Sequence, residues 1–408
     1  MQLFSLYLKD WKSFGSAEPS GMHFAPLTLL VGPNGSGKSN ALDALRFLQG
    51  AALDYPLGDV LRGRWEGQRQ VWPPVRGGVA EAARYGQLGF EMQSVWLEGV
   101  RGPVNHTIVV STQGEVAIDA ESLSENHVHL FDTHGAALRG ATGRTPGGGI
   151  RVALRGKGKG NNPTHEYSSY RSLLGQIEPR ERVAPEVIDT AHAVRRALRE
   201  AVFLEIRPDM MRDYRPENGG HLGTSGENIS PVLSALERDG RLADVVDWLS
   251  ELCAPEIEQI DFDRTKLREV MMVLVERGGR RTSARSVSDG TLRFLGELVA
   301  LLTVPKGTLL VLEEPDVGLH PSRVRLLAEL LEQTTARRGI QVIATTHSPA
   351  LLAHLSREAL GNTIAFGRDG KAGDTICSRL RDLEYFATLR DARDVEHLVS
   401  TGWLERAL

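Results

Sequence analysis

Residues 27–45, LTLLVGPNGSGKSNALDAL, decide the fold of this 408-residue chain. The apolar run that ends at Val31 predicts a buried strand, and the apolar spacing after Ser39 predicts a helix. The segment between them fulfils the pattern G-x-x-x-x-G-K-[ST]. Its glycines let consecutive N–H groups point into one concavity, and the helix start adds a positive dipole end. This stretch therefore predicts a loop that binds nucleotide phosphates.

The loop residues have separate expected roles. Lys38 is placed to reach the β and γ phosphates of ATP, and the Ser39 hydroxyl is placed to ligate Mg²⁺. ATP and Mg²⁺ are therefore the expected cofactors. The residues expected to contact the nucleotide are Asn34, Gly35, Ser36, Gly37, Lys38, Ser39 and Asn40.

Two acids follow a second apolar run, TLLVL at 308–312. A strand that ends in acids lies where a doubly wound sheet opens its ligand crevice. Glu313 is the expected metal ligand, because Mg²⁺ prefers oxygen donors. Glu314 is the expected catalytic base, which orients or deprotonates the attacking water in phosphoryl transfer.

A histidine follows a third apolar run, IQVIATT at 340–346. A helix that begins near Pro321 is predicted between this run and the one before it, which makes a right-handed parallel crossover. His347 is therefore expected at the same edge of the sheet as the acids. There it can hydrogen-bond a γ phosphate and sense its loss, so we include it among the catalytic candidates.

The composition excludes several classes of protein. The net charge is −4, so there is no global attraction to nucleic acid, and two cysteines cannot build a disulfide framework. No apolar run approaches the roughly 18 residues of a membrane helix, and Lys9, Asp10 and Lys12 occupy the place of a signal peptide's apolar stretch. We expect a cytoplasmic protein without membrane segments. Glycine accounts for 43 of the 408 residues, about 10.5%, and so exceeds its usual share of about 7%.

The predicted fold is of the α/β class: a P-loop NTPase with a mixed sheet and an inserted, mainly helical lobe. Residues 1–130 form the first part of the nucleotide-binding lobe, with a strand-rich extension, and residues 291–408 form its second part. Residues 171–290 form the helical lobe. Residues 131–170 are expected to be a basic, glycine-rich mobile loop, because 133–165 contain nine glycines, six basic residues and no acid.

Two further features allow more than one interpretation. His127, His129 and His134 with Asp132 suggest a zinc site, but strand alternation alone gives this pattern, and the ordinary interpretation is preferred. The basic loop can contact a nucleic-acid backbone nonspecifically, yet it has no aromatic residue for base stacking, so a solvated loop is favoured. Its basic residues are Arg139, Arg144, Arg151, Arg155, Lys157 and Lys159.

The motifs GPNGSGKSN, SVSDGTLR, LLVLEEPDVGLHP and TTHSP occur in the order found in ABC-type ATPases of the SMC/RecF kind. The chain resembles more closely the compact RecF-like ATPases found in bacterial phage-defence loci, which also have segments similar to KDWKSF and GENISPVLSAL. The resemblance implies that Ser288 and Gly290 form the signature motif, which reaches the γ phosphate held by a second protomer. It also implies that Asp316 belongs to a loop bridging the two sites of an ATP-sandwiched homodimer. Glu314 would be the base and His347 the switch histidine.

The chain departs from the family pattern at several points. The signature motif contains VSDGT where transporter-type members have LSGGQ, and the first acid is Glu313 rather than aspartate. Gln87 and Gln93 are both candidates for the glutamine loop. Asp391 and Asp394 are the nearest approximation to a Toprim nuclease motif, so no nuclease domain is expected. The sequence has no heptad array, so no coiled-coil arms are expected either.

Two biological roles fit these motifs. In the first, the chain is the sensor or regulator subunit of an anti-phage defence system and controls a separately encoded effector such as a nuclease. In the second, it is an ATP-gated DNA-binding scaffold for repair or recombination. The first is preferred, because the chain has the motifs of a clamp but neither arms nor an effector domain.

Overall fold

A computed structural model gives the fold of the chain. It describes residues 1–16, 20–97, 102–135, 138, 140, 142–158, 162–218, 220–252, 256–384 and 386. The sequence features that lie outside these residues are Cys253, Arg139, Lys159, Asp391 and Asp394.

The described chain is a mixture of strands and helices. In chain order the strands are β1 (Gln2–Lys9), β2 (Ser20–His23), β3 (Leu27–Val31), β4 (Arg64–Glu66), β5 (Arg69–Trp72), β6 (Gly89–Leu97), β7 (Val104–Ser111), β8 (Ala117–Glu125), β9 (Val128–Asp132), β10 (Gly143–Thr145), β11 (Gly149–Leu154), β12 (Thr164–Ser168), β13 (Val202–Leu204), β14 (Arg215–Pro216), β15 (Ile257–Arg264), β16 (Glu269–Glu276), β17 (Arg281–Ser283), β18 (Leu309–Glu313), β19 (Gln341–Thr345), β20 (Ile364–Arg368) and β21 (Thr375–Arg379). The helices are α1 (Lys38–Ala52), α2 (Leu57–Arg62), α3 (Leu173–Gln176), α4 (Pro185–Arg199), α5 (Ile229–Arg238), α6 (Leu242–Leu252), α7 (Asp289–Thr303), α8 (Pro321–Arg338), α9 (Pro349–Ala353) and α10 (Arg357–Asn362). Among the described residues, no helix has the length and apolarity needed to cross a membrane.

A six-stranded sheet with the order β13-β18-β19-β3-β20-β21 lies at the centre. Its first five strands are parallel, and only β21 is antiparallel to its neighbour. The strands β3 and β19 are buried along their whole length, as expected for parallel strands covered on both faces. The predicted strand–helix–strand crossover is present as β18, α8 and β19.

Two hydrophobic cores lie on opposite faces of this sheet. Along β18, Leu309 and Val311 join one core, while Leu310 and Leu312 join the other, because side chains alternate along a strand. The first core contains α1, α4 and the buried face of a nine-stranded sheet built around β6, β7 and β8. The second contains α5 to α8 and a four-stranded sheet of β14 to β17. The central sheet is therefore supported on both sides.

The expectation of a mobile loop over 133–165 is wrong for most of its described residues. The strands β10, β11 and β12 fall in this region and extend the nine-stranded sheet beyond β9. Ile150, Val152 and Leu154 are buried and Arg151 is exposed, so a strand alternation was present but was obscured by the surrounding glycines.

The expectation of a mainly helical lobe over 171–290 is also wrong in part. The region contains α3 to α6, but it also supplies β13 to the central sheet and forms the four-stranded sheet. Its helix α4 packs on α1 and belongs to the first core rather than to a separate unit. The division into domains remains a prediction.

The histidines considered for zinc lie around the β8–β9 hairpin. Asn126 and His127 form its two-residue turn, and both have positive φ, as a type I′ turn requires. Among the described residues, no group of three or more His, Cys, Asp or Glu side chains is placed to hold a metal ion.

A buried polar cluster ties β7 and β8 to α3. The Glu121 side chain lies 2.8 Å from Nε2 of His106, accepts a hydrogen bond from the Ser172 hydroxyl at 2.7 Å, and accepts another from the Leu173 N–H at 2.8 Å. The whole residue is only 1% exposed. Removing this carboxyl group would leave the Leu173 N–H and the Ser172 hydroxyl proton without this acceptor and would deprive His106 of its partner in the core.

We therefore expect Glu121→Ala to lower the free energy of unfolding by about 3–5 kcal/mol, because it leaves buried polar partners uncompensated. Asp119→Ala is the matched control on the same strand, since Asp119 pairs with Arg144 in a half-exposed ion pair. The control should cost no more than about 1 kcal/mol. Urea unfolding of both variants measures the difference, and equal costs would contradict the assignment.

Candidate nucleotide site

The phosphate loop has the backbone conformation that its glycines allow. Gly32, Gly35 and Gly37 have φ of 146°, 77° and 113°, which residues with a Cβ rarely adopt. A Cβ on Gly37 would lie 2.2 Å from Oγ1 of Thr375, so this position also lacks room for a side chain. The loop forms a cradle that only glycine permits at these points.

Lys38 begins α1 and folds back over the loop. Its Nζ donates hydrogen bonds to the carbonyl oxygens of Gly32, at 2.8 Å, and Pro33, at 3.0 Å. Burial lowers the pKa of Lys38, and the nearby charge of Glu314 acts in the opposite direction. The hydroxyl of Ser36 is buried without a hydrogen-bond partner. A desolvated ammonium and an unpaired hydroxyl in one concave loop suit an anionic, oxygen-rich ligand.

Side chains from distant parts of the chain form a hydrogen-bond network that supports the phosphate loop. Thr375 donates to the carbonyl oxygen of Ser36 at 2.9 Å, and its hydroxyl lies 2.7 Å from that of Ser13. The amide of Asn40 donates to the same Ser13 hydroxyl at 2.7 Å. Arg368 donates to the Gly35 carbonyl oxygen at 2.7 Å. Thr375 and Arg368 lie more than three hundred residues from the loop in the chain, so no local motif points to them.

A cavity of about 610 Å³ opens beside this network. Ser13 and Asn40 line it, and so do four cationic side chains, which are Lys12, Arg76, Arg84 and Arg368. The exposed aromatic ring of Tyr85 lies at the same cavity. The acids Glu81 and Asp374 also line the cavity, and Asp374 pairs with Arg84 at 2.7 Å. Cations still outnumber acids on these walls, which suits an anionic ligand better than an apolar one.

The acids and the histidine meet at the carboxyl ends of β18 and β19. Glu313 is the last residue of β18 and pairs with Thr345 of β19, so the two strands end level with each other. The N–H of Glu314 donates to Oγ1 of Thr345 at 3.1 Å, and Nε2 of His347 lies 3.5 Å from Oε1 of Glu314. The structure therefore brings Glu314 and His347 together.

Glu314 has a φ of 48°, in the left-handed region. For a residue other than glycine this conformation costs about 1–2 kcal/mol. Such strain is maintained only where surrounding structure fixes the backbone, as the hydrogen bond to Thr345 does here. The consequence is a carboxylate that leaves the strand sharply and stands exposed beside His347.

Glu313 makes an ion pair that the sequence did not predict. Its Oε1 lies 2.6 Å from Nη2 of Arg76, and Nε of Arg76 lies 3.8 Å from a carboxylate oxygen of Asp43. Lys12 binds the other oxygen of Asp43 at 2.5 Å. The charge of Glu313 is therefore balanced by an arginine, with which a metal ion at this carboxylate would compete.

The signature segment begins α7 and lies against the loop that follows β18. Ser288 is the N-cap of α7, and its hydroxyl accepts a hydrogen bond from the Thr291 N–H at 3.2 Å. A Cβ on Gly290 would lie 2.5 Å from the carbonyl oxygen of Gly318, so glycine is needed for this close approach. Within the described part of the chain, the hydrogen bonds of Ser288 go to Thr291 and none goes to the phosphate loop.

Two carboxyl groups lie where α7 meets the same loop, Asp316 half-buried and Glu297 buried. Burial raises the pKa of Asp316, while a hydrogen bond from Thr346 acts in the opposite direction. Glu297, on α7, is 3% exposed, and its Oε2 has no hydrogen-bond partner. Burial raises the pKa of Glu297 well above its usual range, with Arg293 opposing the shift and Asp316 adding to it. The folded protein therefore favours the protonated form of Glu297 more than the unfolded chain does.

Of the two glutamine-loop candidates, Gln93 lies in the middle of β6, paired with Tyr7 of β1. Gln87 lies in the loop before β6, and its side-chain amide donates to the Ser16 hydroxyl at 3.4 Å. Neither makes a contact that distinguishes it as a ligand of the site.

The fold and this site define a P-loop ATPase domain of mixed α/β architecture. A family model described as "AAA domain, putative AbiEii toxin, Type IV TA system" matches residues 27–133 and 161–353. The chain belongs to this family. It is an SMC/RecF-like ABC-type ATPase, as its motif order predicted.

Similar proteins include relatives that share only part of the chain. Over 51 residues the chain is 55% identical to the chromosome partition protein Smc of Mycolicibacterium paratuberculosis, a match that covers 12% of this chain and 4% of the relative. The chain thus matches only a small fraction of the length of these Smc relatives. It is 29% identical over 103 residues to an uncharacterized protein of Methanocaldococcus jannaschii, covering 24% of this chain and 85% of that protein.

Among solved structures, an Smc head bound to the C-terminal winged-helix domain of ScpA has 15% identity and a TM-score of 0.49. That match covers 93% of this chain and 97% of the other. The SMC head domain from Thermotoga maritima has 15% identity and a TM-score of 0.41, covering 93% and 99%.

The state of Glu297 gives a pH prediction. The pKa of Glu297 is higher in the folded protein than in the unfolded chain. At a pH between these two pKa values, the folded protein binds a proton that the unfolded chain has released. The free energy of unfolding therefore falls as pH rises through this range. Glu297→Gln cannot lose a proton at this site. We expect the melting temperature of Glu297→Gln, relative to that of the wild type, to increase as pH rises above the usual range of a glutamate pKa. Glu329→Gln, at a half-buried position of α8 where the side chain pairs with Arg325, is the control. A margin that shrinks or stays constant would contradict the assignment.

Proposed function

We propose that this chain is a Mg²⁺-dependent ATPase that converts ATP and water to ADP and phosphate. One observation carries the proposal. Three adjacent parallel strands, β3, β19 and β18, end at one edge of the central sheet. They present there the phosphate loop, His347 and the pair Glu313–Glu314, which are the groups that phosphoryl transfer to water requires.

Each of these groups has a distinct part in the proposed reaction. Lys38 and the loop N–H groups stabilise the charge of the phosphates, and Glu314 orients the attacking water and accepts its proton. The cradle and the oxygen donors of Ser39 and Glu313 fit a Mg²⁺–nucleotide complex, since this cation prefers oxygen ligands. When bound, Mg²⁺ would neutralise charge on the phosphate oxygens. His347, beside Glu314, is placed to respond when the γ phosphate leaves.

The proposed working unit is a head-to-tail homodimer with ATP between the subunits. Ser288 and Gly290 of one subunit would complete the site formed by the phosphate loop of the other, and Asp316 would lie in the loop that bridges the two sites. The exposed hydroxyl of Ser288, whose hydrogen bonds stay within its own helix turn, supports a role toward a partner. ATP binding would close such a dimer, and hydrolysis would open it.

The proposed biological role is that of a sensor or regulator in bacterial anti-phage defence, which controls a separately encoded effector such as a nuclease. The family description names a toxin and a type IV toxin–antitoxin system, and this supports a role alongside a second, separately encoded protein. An effector that co-purifies with the chain and changes activity with ATP would support this role further.

A second candidate role is an ATP-gated DNA-binding scaffold. The 55% identity to Smc over 51 residues favours it. Salt-dependent binding of duplex DNA that requires ATP would support this alternative. Two of the basic side chains considered for nucleic-acid contact, Arg144 and Arg151, already pair with the acids Asp119 of β8 and Glu166 of β12.

Lys38→Ala tests nucleotide binding. Because charge-assisted hydrogen bonds contribute about 1.5–3 kcal/mol each, we expect ATP affinity to fall by about tenfold or more and hydrolysis to be lost. Isothermal titration with Mg²⁺ and ATP measures the affinity. Lys306→Ala, at an exposed lysine, is the control and should bind ATP like the wild type. Wild-type protein that is folded but neither binds nor hydrolyses ATP would refute the proposed activity.

Glu314→Gln tests the base. It removes the proton acceptor and keeps the shape, so we expect turnover to fall by about 10²–10⁴-fold while ATP binding is retained. ATP should then hold the variant as a dimer, which size-exclusion chromatography with and without ATP measures. Glu329→Gln serves as the control. Normal hydrolysis by Glu314→Gln would show that the role assignment is wrong.

A further inference from the structure

Arg212 makes contacts that neither its sequence context nor the proposed reaction explains. Its Nη1 donates hydrogen bonds to three carbonyl oxygens of one segment, those of Ala284 at 3.0 Å, Arg285 at 3.0 Å and Val287 at 2.8 Å. Its Nη2 donates to the carboxylate of Asp289. One guanidinium therefore binds four acceptors along the segment that leads into the signature motif.

The residues after Arg212 hold the same segment at a second point. A carboxylate oxygen of Asp213 lies 3.7 Å from the guanidinium of Arg285. The same guanidinium lies over the ring of Tyr214, 5.7 Å from its centroid. Three consecutive residues, 212–214, thus contact the segment 284–289, which lies some seventy residues further along the chain.

These contacts of residues 212–214 fix the direction in which α7 starts. The carbonyl groups of Ala284, Arg285 and Val287 belong to the connection between β17 and α7, where regular secondary structure supplies no donors to them. A planar guanidinium binds these carbonyl groups through one nitrogen and the Asp289 carboxylate through another, whereas a lysine has a single nitrogen for both tasks. Ser288 and Gly290 follow directly, so their positions depend on this connection.

The bond to Asp289 has an electrostatic consequence. The signature motif reads VSDGT, so an acid stands where a ligand phosphate is proposed to approach, and the Asp289 side chain is 77% exposed. A free carboxylate there would repel the phosphates of ATP. The ion pair with Arg212 compensates this charge within the same subunit.

We propose that Arg212 is a positioning residue for the signature motif: it orients Ser288 and Gly290 and neutralises Asp289 so that they can complete the ATP site of a partner subunit. This inference rests on the proposed ATP-sandwiched dimer. It assigns Arg212 to the site in trans, not to the phosphate loop of its own chain.

The primary test uses Arg212→Ala. We expect ATP binding by its own phosphate loop to change by less than about twofold, and kcat to fall by about tenfold or more, since a set of charge-assisted hydrogen bonds is lost. Arg207→Ala is the matched control, because Arg207 pairs only with the exposed Asp209 in the same region. Wild-type kcat in Arg212→Ala would overturn the proposal.

Subunit mixing separates positioning in trans from a merely structural role. Lys38→Ala lacks a working phosphate loop but keeps its signature motif, and Arg212→Ala has the reverse defect. A heterodimer of the two contains one site built from two intact halves. The equimolar mixture should regain roughly a quarter of wild-type activity, as random pairing of a symmetric dimer predicts.

A parallel mixture of Lys38→Ala with Ser288→Arg distinguishes failure of this inference from failure of the dimer itself. If that mixture recovers activity and the Arg212→Ala mixture does not, the proposed role of Arg212 is wrong. If neither recovers, the sandwiched dimer is wrong, and the role of Arg212 is refuted with it.

Arg212→Lys keeps the proposal testable if Arg212→Ala does not fold, as circular dichroism would show. Lysine keeps the positive charge, but its single nitrogen cannot bind the carbonyl groups and the Asp289 carboxylate from two separate atoms as arginine does. We expect a kcat between those of the wild type and a signature-defective variant, and recovery on mixing with Lys38→Ala. A kcat equal to that of the wild type would overturn the requirement for the guanidinium.

Discussion

The parallel pairing of β18, β19 and β3 determines which polar residues meet at the candidate site. Glu313 lies opposite Thr345, and Thr345 lies opposite Leu30, so the three strands end within a residue of one another. Since β3 and β19 are wholly buried and β18 is buried up to its last residue, a shift of register would move apolar side chains out of one core and into the other. The two cores thus fix the register, and the register fixes which polar residues meet at the sheet edge.

This constraint explains why the main elements could be predicted from sequence. The runs LTLLV, TLLVL and IQVIATT are short and apolar, and each is followed by a residue type with chemistry of its own. Parallel strands open at one edge, so a phosphate loop, two acids and a histidine at three strand ends must converge there. The structure places them accordingly, and Glu314 lies beside His347.

The supporting residues could not be predicted in the same way. Thr375 and Arg368 reach the phosphate loop from more than three hundred residues away, and Arg76 reaches Glu313 across the fold. Each is an ordinary polar residue in its local sequence, and only tertiary structure gives it a partner. The strands β10 to β12 were missed for a different reason, since glycines and basic residues dominate a segment whose buried positions are few.

The glycines of the site illustrate how crowding and backbone conformation act together. Gly37 requires both a positive φ and the absence of a Cβ, because Thr375 is in contact with it. Thr375 also donates to the Ser36 carbonyl, so the group that excludes a side chain at Gly37 is the one that holds the loop in place. Glu314 shows the opposite case, since a residue with a long side chain accepts the left-handed conformation in order to direct its carboxylate out of the strand.

The start of α7 is held between two fixed parts of the chain, and this limits how the signature motif can move. On one side Arg212 binds the segment that leads into Ser288, and on the other Gly290 lies against the carbonyl of Gly318. The loop that contains Gly318 begins at Glu314, whose N–H is bound by Thr345. A displacement at the sheet edge therefore cannot remain local, because the close contact at Gly290 leaves no space between the loop and the helix. A movement of Glu314 would therefore be transmitted to Ser288 and Gly290 at the start of α7. The physical requirement for such transmission is tight backbone contact, and glycine at position 290 is what permits it.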